Sequence, residues 1–156
     1  MNSAQGVQLD SVWFAWPTLE PIRKYSDAGG SVEEFDFDGL SVSGTLRDGD
    51  AFDATLESPV FGSAAGEFIA RTLPMEEGAT TSYLAFDDDA EGHARTTTVT
   101  VGGTQEMLGR TVRAFTISDS EDSRTFYYDE QTRETIGFDI VPQPNITVEL
   151  RRSDLD

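Results

Sequence analysis

The only histidine in the chain, His93, lies in the stretch Asp87-Asp88-Asp89-Ala90-Glu91-Gly92-His93-Ala94-Arg95. A histidine among carboxylates is the raw material of general acid–base chemistry, because its proton exchanges near neutral pH and a carboxylate can orient the ring. A serine hydrolase would add a hydroxyl from elsewhere in the fold, and nothing in the local spacing supplies one. The same acidic run has the look of a calcium loop. An EF-hand, however, needs a bidentate Glu where this chain has Thr98, and it needs helical flanks, so no metal site is expected. Cysteine is absent, which removes disulfides and thiolate ligands. Gly102-Gly103 lacks the strand–loop–helix setting of a phosphate loop, and no cofactor is expected.

Composition narrows the partners. Aspartate and glutamate number 29 against 11 basic residues, for a formal charge of −18. A surface this negative repels phosphate backbones, so nucleic acid is not expected as a partner. Lys24 is the sole lysine, the other basic residues being arginine, and an acidic, lysine-poor surface fits a halophilic protein as well as an ordinary acidic secreted one. No apolar run reaches the roughly 20 residues that a membrane-spanning helix requires. The first ten residues carry neither a basic start nor an apolar core, hence no signal peptide. A mature exported fragment, periplasmic or extracellular, fits that terminus, and so does a cytoplasmic protein.

The elements that must position these residues alternate with period two. Leu40, Val42 and Leu46 fall on one face of a strand, Phe52, Ala54 and Leu56 on one face of the next, and Asp48-Gly49 between them signals a hairpin. Further strands are predicted at 12–16, 20–26, 31–37, 81–86, 94–101, 110–118, 123–129, 134–141 and 145–152. Ala28-Gly29-Gly30, Asp38-Gly39, Gly102-Gly103, Asp129–Thr132 and Pro142-Gln143-Pro144 supply the turns. Residues 60–73 break the alternation and predict one short helix, its Phe68, Ile69, Thr72 and Leu73 facing one way, bounded by Pro59 and Pro74. The corner Leu73-Pro74-Met75, followed by Gly78, reads as a helix stop feeding a strand rather than as a hinge. The whole of residues 1–156 is predicted to be a single all-β domain, a curved antiparallel up-and-down sheet with one short helix.

The succession "PTLEPIRKYS", "FDFDGLSVSGTL", "LESPVF", "RTLPMEEGATTSYLAF", "TVTVGGTQEMLGRTVRAFTI" and "FYYDEQTRETIGFDI" resembles a family of exported bacterial β-proteins of unknown function. Their fold is similar to the half-barrel of the lipoprotein carrier LolA. The resemblance spans about residues 17–150. It implies a LolA-like half-barrel, here lacking N-terminal strands of the family, whose concave face takes a lipid or another apolar ligand. Met75 stands where the family commonly has leucine, a conservative change.

Two function classes follow. One is a noncatalytic, envelope-associated module that binds a lipid or other apolar small molecule through Trp13, Trp16, Leu40, Val42, Phe52, Leu56, Phe68 and Leu73. The other is a small β-barrel enzyme, a hydrolase or isomerase, using carboxylates and His93 at the barrel mouth. Apolar inward positions favour the binding module over catalysis. The first strand, with large apolar groups on both faces, is also a candidate edge for pairing with a second copy as a homodimer.

Overall fold

The computed structural model describes residues 8–62, 65–143 and 146–151. Among the described residues, eleven strands and one α-helix follow one another: β1 (Gln8–Phe14), β2 (Pro21–Ala28), β3 (Ser31–Asp38), β4 (Ser41–Thr45), β5 (Ala51–Thr55), α1 (Ala65–Ala70), β6 (Thr80–Phe86), β7 (Ala94–Met107), β8 (Arg110–Ser118), β9 (Ser123–Asp129), β10 (Thr135–Gln143) and β11 (Ile146–Arg151). A single 3-10 turn, Glu91–His93, precedes β7. The protein is all-β with one short helix, and every pairing described between strands is antiparallel. The meander is divided, however. β1 to β5 form one sheet in sequence order, and β6 to β11 form a second, also in sequence order, rather than one continuous curved sheet.

Turn chemistry explains the register. Gly29 and Gly30 both hold positive φ, 68° and 94°, the geometry of a two-residue hairpin whose twist matches its strands. The Asp27 carboxylate accepts the Gly30 N–H at 2.7 Å and fixes it. At the β7–β8 hairpin, Leu108 (51°) and Gly109 (73°) do the same work. Gly102-Gly103, expected to be a turn, instead lies inside β7. The register shifts there, between Val101 and Thr104, as a bulge. β7 is therefore 14 residues long. A Cβ at Gly102 would stand 3.2 Å from the Ala114 Cβ, so the neighbouring strand crowds this position.

Further expectations are corrected. The helix covers only Ala65–Ala70 instead of 60–73. Thr72 closes it by donating both its N–H (3.0 Å) and its hydroxyl (2.8 Å) to the Ile69 carbonyl, so Leu73 lies beyond the helix and does not share a helical face with Phe68. β1 ends at Phe14, because Ala15 and Glu20 are joined by a backbone hydrogen bond of 2.8 Å that turns the chain back, so Trp16 stands in a turn. Leu40, expected to point inward, occupies the β3–β4 turn and is 40% exposed. The corner at Leu73–Gly78 leads into β6, with Gly78 at φ 88° donating its N–H to Val101 O, but the helix has already ended at Ala70, so Pro74 is not its stop.

The chain separates into two compact units, Met1–Ala64 with Leu84–Ala94, and Ala65–Tyr83 with Arg95–Asp156. The first is built on Phe35, Val42, Leu56, Val60 and Phe86, with Phe37, Leu46, Phe52, Leu84 and Ala94 packed around them. Its rings meet edge to face, Phe35 with Phe52 at 5.2 Å and with Phe86 at 5.1 Å. Phe61 holds the Leu84–Phe86 segment to this unit by donating to Leu84 O and accepting from Phe86 N–H. Buried in the second unit are Ala65, Ala70, Tyr83, Val99, Val101, Val112, Phe115, Phe126, Tyr128 and Ile136. There Gly66 lets α1 approach closely, since a Cβ would come within 2.7 Å of Ile117 Cδ1 and of the Tyr83 hydroxyl.

Candidate functional site

In the first unit the charged groups gather at the edge of the aromatic core. Lys24 Nζ lies 2.9 Å from Glu33 Oε1 and 3.6 Å from Asp88 Oδ1, and it sits over the Phe35 and Phe86 rings at 5.3 and 5.9 Å. Arg47 takes the other Glu33 oxygen at 3.1 Å and donates to Ser26 Oγ at 3.1 Å. Glu33 and Ser26 are buried, so the pairing satisfies groups that would otherwise lose solvation. This cluster is a paired bridge joining β2, β3 and the β4–β5 turn.

His93 borders the same core. It is half-buried, its ring meets Phe52 edge-on at 5.0 Å, and its Nδ1 lies 3.1 Å from the backbone oxygen of Asp88. The Asp87 N–H donates to the His93 carbonyl at 3.2 Å, closing the loop. The ring thus meets a carbonyl and an aromatic neighbour, where an acid–base dyad would present a carboxylate. Among the described residues no three His, Cys, Asp or Glu side chains stand close enough together to hold a metal ion.

Of the residues expected to line a ligand site, the structure gathers only Val42, Phe52 and Leu56, in the first unit's core. Val42 and Leu56 are almost wholly covered by protein. Trp13 and Trp16 stand 48% and 76% exposed, and Leu40 is exposed with them. Phe68 and Leu73 belong to the second unit, half-buried.

A second grouping was missed in the sequence. A dent of about 150 Å³ is lined by Arg71, Met75, Phe115, Tyr128 and Arg133. That space takes in open solvent and none of it is wide enough to enclose a water molecule, so it is a surface dent and not a small-molecule pocket. Arg71 lies over the Phe68 and Tyr128 rings at 5.8 and 5.5 Å, and Arg133 donates to the Arg71 carbonyl. Burial pushes the Tyr128 and Tyr83 hydroxyls up to about 12, so both stay protonated at neutral pH. Burial also raises the Glu67 carboxyl, with Arg71 opposing it. Asp129 is held below the ordinary carboxylate value by the N–H groups of Thr132 and Gln131, which it accepts at 2.9 and 2.8 Å. No local sequence signal marks this grouping, because Arg71 and Arg133 meet across 62 residues of chain; the structure holds Arg133 at φ 57° after the Asp129 turn.

Among the described residues no helix is long and apolar enough to cross a membrane. Comparison with protein-family models, with curated proteins and with solved structures finds no match to this chain. What fold and site define together is an all-β protein of two meandering sheets in which Arg23, Lys24, Arg47, Arg95, Arg110, Arg113 and Arg124 pair with carboxylates.

Proposed function

We propose that this chain is a noncatalytic, envelope-associated binding module that engages an apolar ligand, a lipid or similar molecule, through the tryptophan-bearing end of its first sheet. The observation that carries this reading is the exposure of Trp13 and Trp16, the only tryptophans in the chain. Large amphipathic rings left in water are characteristic of contact surfaces, since covering them removes apolar area from solvent. The resemblance to LolA-like carriers supports a lipid as the ligand class. The reading shifts the contact away from the concave positions Val42 and Leu56, which Phe35 and Phe86 already cover. His93 has a packing role in it, and the acidic surface suits a salt-rich exterior.

Titration with a lysolipid tests the reading. Tryptophan emission is expected to shift to shorter wavelength and the melting temperature to rise, as for any ligand selective for the folded state. Trp16→Ala is expected to remove most of the spectral change while leaving the fold intact. A wild-type protein whose emission and melting temperature both stay fixed at saturating lipid would refute lipid binding.

A further inference from the structure

β1 has a sheet neighbour on one side only among the described strands, and its residues run in regular register with β2 from Gln8 to Trp13. Such an edge presents unpaired backbone donors and acceptors, and folded proteins usually blunt it with short length or charge. The opposite edge of the same sheet is blunted in this way. β5 is five residues long and carries Asp53 exposed at its centre. On β1 the row Leu9, Ser11, Trp13 lies on one face and carries no charge, with Leu9 55% and Trp13 48% exposed.

From this edge we infer that β1 pairs antiparallel with β1 of a second copy, centred on Ser11, so that two five-stranded sheets join into one. The row is self-complementary in that register and in no neighbouring one. With Ser11 opposite Ser11 of the second copy, Trp13 faces Leu9 and Leu9 faces Trp13, which makes two aromatic–aliphatic cross-strand pairs. Asp10 then faces Val12. Shifting the centre to Asp10 would set two carboxylates against each other, and shifting it to Val12 would place Trp13 opposite Ser11. Arg23, paired with Trp13 in β2 and stacked on its ring at 5.8 Å, leaves the apolar row by way of a cation. The twofold relation pairs the edge that β1 presents among the described strands.

The overall charge of −18 opposes association between copies at low ionic strength. Molar salt shortens the screening length to about 3 Å and removes most of that repulsion. Dimerisation is therefore expected to strengthen with salt. This inference shares exposed Trp13 with the lipid reading, and sedimentation of ligand-free protein tests the strand edge alone.

Three measurements test it. Sedimentation of the wild-type protein in molar chloride is expected to show a dimer that dissociates as salt is lowered. The chain has no cysteine, so Ser11→Cys introduces a single thiol that faces its own copy within disulfide reach. Under mild oxidant it should cross-link much faster than Asp53→Cys on the other edge. Ser11→Lys alone should lower the dimer fraction about tenfold by setting like charges face to face, and mixing it with Ser11→Asp should restore association. A wild-type protein that stays monomeric in molar chloride overturns the inference. Equal cross-linking at positions 11 and 53, or a Ser11→Lys variant that dimerises undiminished, overturns it equally.

Discussion

The two compact units solve the same problem, covering a meandering sheet, with different materials. The first relies on phenylalanine rings from β3, β5 and β6 set edge to face, with Lys24 lying over two of them and tied to Glu33 and Asp88 at the border. The second relies on valines at alternate positions of β7, Val99 and Val101, with Val112, Phe115 and Tyr128 from the following strands. Its polar anchors include tyrosine hydroxyls, as where Tyr128 donates to Glu67 O at 3.3 Å, beside ion pairs such as Arg113–Glu130 at 2.6 Å that do not lie over its rings. An aromatic core concentrates its energy in a few large contacts and is open to charge at its rim. The second core mixes valines with aromatic residues, among them Phe115 and Tyr128 edge to face at 4.9 Å, and so spreads its contacts over smaller side chains as well.

Substitution at the centre of each unit gives the largest expected effect. Phe35 is fully buried and makes two ring contacts besides lying under Lys24, so Phe35→Ala should cost about 3–5 kcal/mol. Val112 is equally buried but smaller, and Val112→Ala should cost about 2 kcal/mol. Denaturant midpoints measure the difference, and native-state hydrogen exchange measures its location. Loss of protection should concentrate in residues 21–62 for Phe35→Ala and in β7 to β9 for Val112→Ala. Equal midpoint shifts with uniform loss of protection would break the contrast and make the two cores one cooperative body.

An intermediate effect separates the units by pH. Tyr128 and Tyr83, both in the second unit, keep their protons up to about 12, whereas an unfolded tyrosine ionises near pH 10. Folded-state pKa values raised in this way contribute stability that is whole below pH 10 and is lost as pH rises from 10 towards 12. Tyr128→Phe should therefore flatten the alkaline decline, at a cost of about 1 kcal/mol at neutral pH for the hydrogen bond to Glu67 O. Urea melts at a series of pH values check this. An alkaline decline as steep in Tyr128→Phe as in the wild type would show that the hydroxyl is not the group being titrated.

Strand existence was legible in the chain because period-two alternation and turn residues are local signals. The segments 110–118 and 123–129 coincide with β8 and β9 to the residue. What escaped notice depended on partners far along the chain. The division into two sheets depends on which strands fail to pair, and β5 and β6, unpaired with each other, look no different in sequence from strands that do pair. Gly102-Gly103 looked like a turn because a bulge uses the same residue type, while the true turn at Leu108-Gly109 has a leucine at positive φ. The Lys24–Glu33–Arg47 bridge needs the register that sets Ser26 opposite Glu33, and no local pattern reveals it. Trp13 and Trp16 were legible as candidates, but their exposure was not, since an apolar residue on a strand is ordinarily buried.

The smallest expected effect concerns His93, the residue with the most obvious chemistry and one of the few polar rings in the first unit's surroundings. Its ring touches Phe52 and its Nδ1 meets the Asp88 carbonyl, so His93→Ala should cost about 1 kcal/mol through lost packing and one hydrogen bond. The backbone at position 93 has φ 55°, a conformation that alanine bears no more easily than histidine and that glycine adopts freely. His93→Gly loses the same ring but relieves the backbone, and its melting temperature should therefore lie above that of His93→Ala. Lipid titration should be unchanged in both variants. If His93→Ala instead lay above His93→Gly, the positive φ at this turn would carry no strain. If a hydrolytic activity of the wild-type protein disappeared in both variants without a change in midpoint, the histidine would be acting in chemistry and not in packing, and the first unit would be the catalytic half of the comparison.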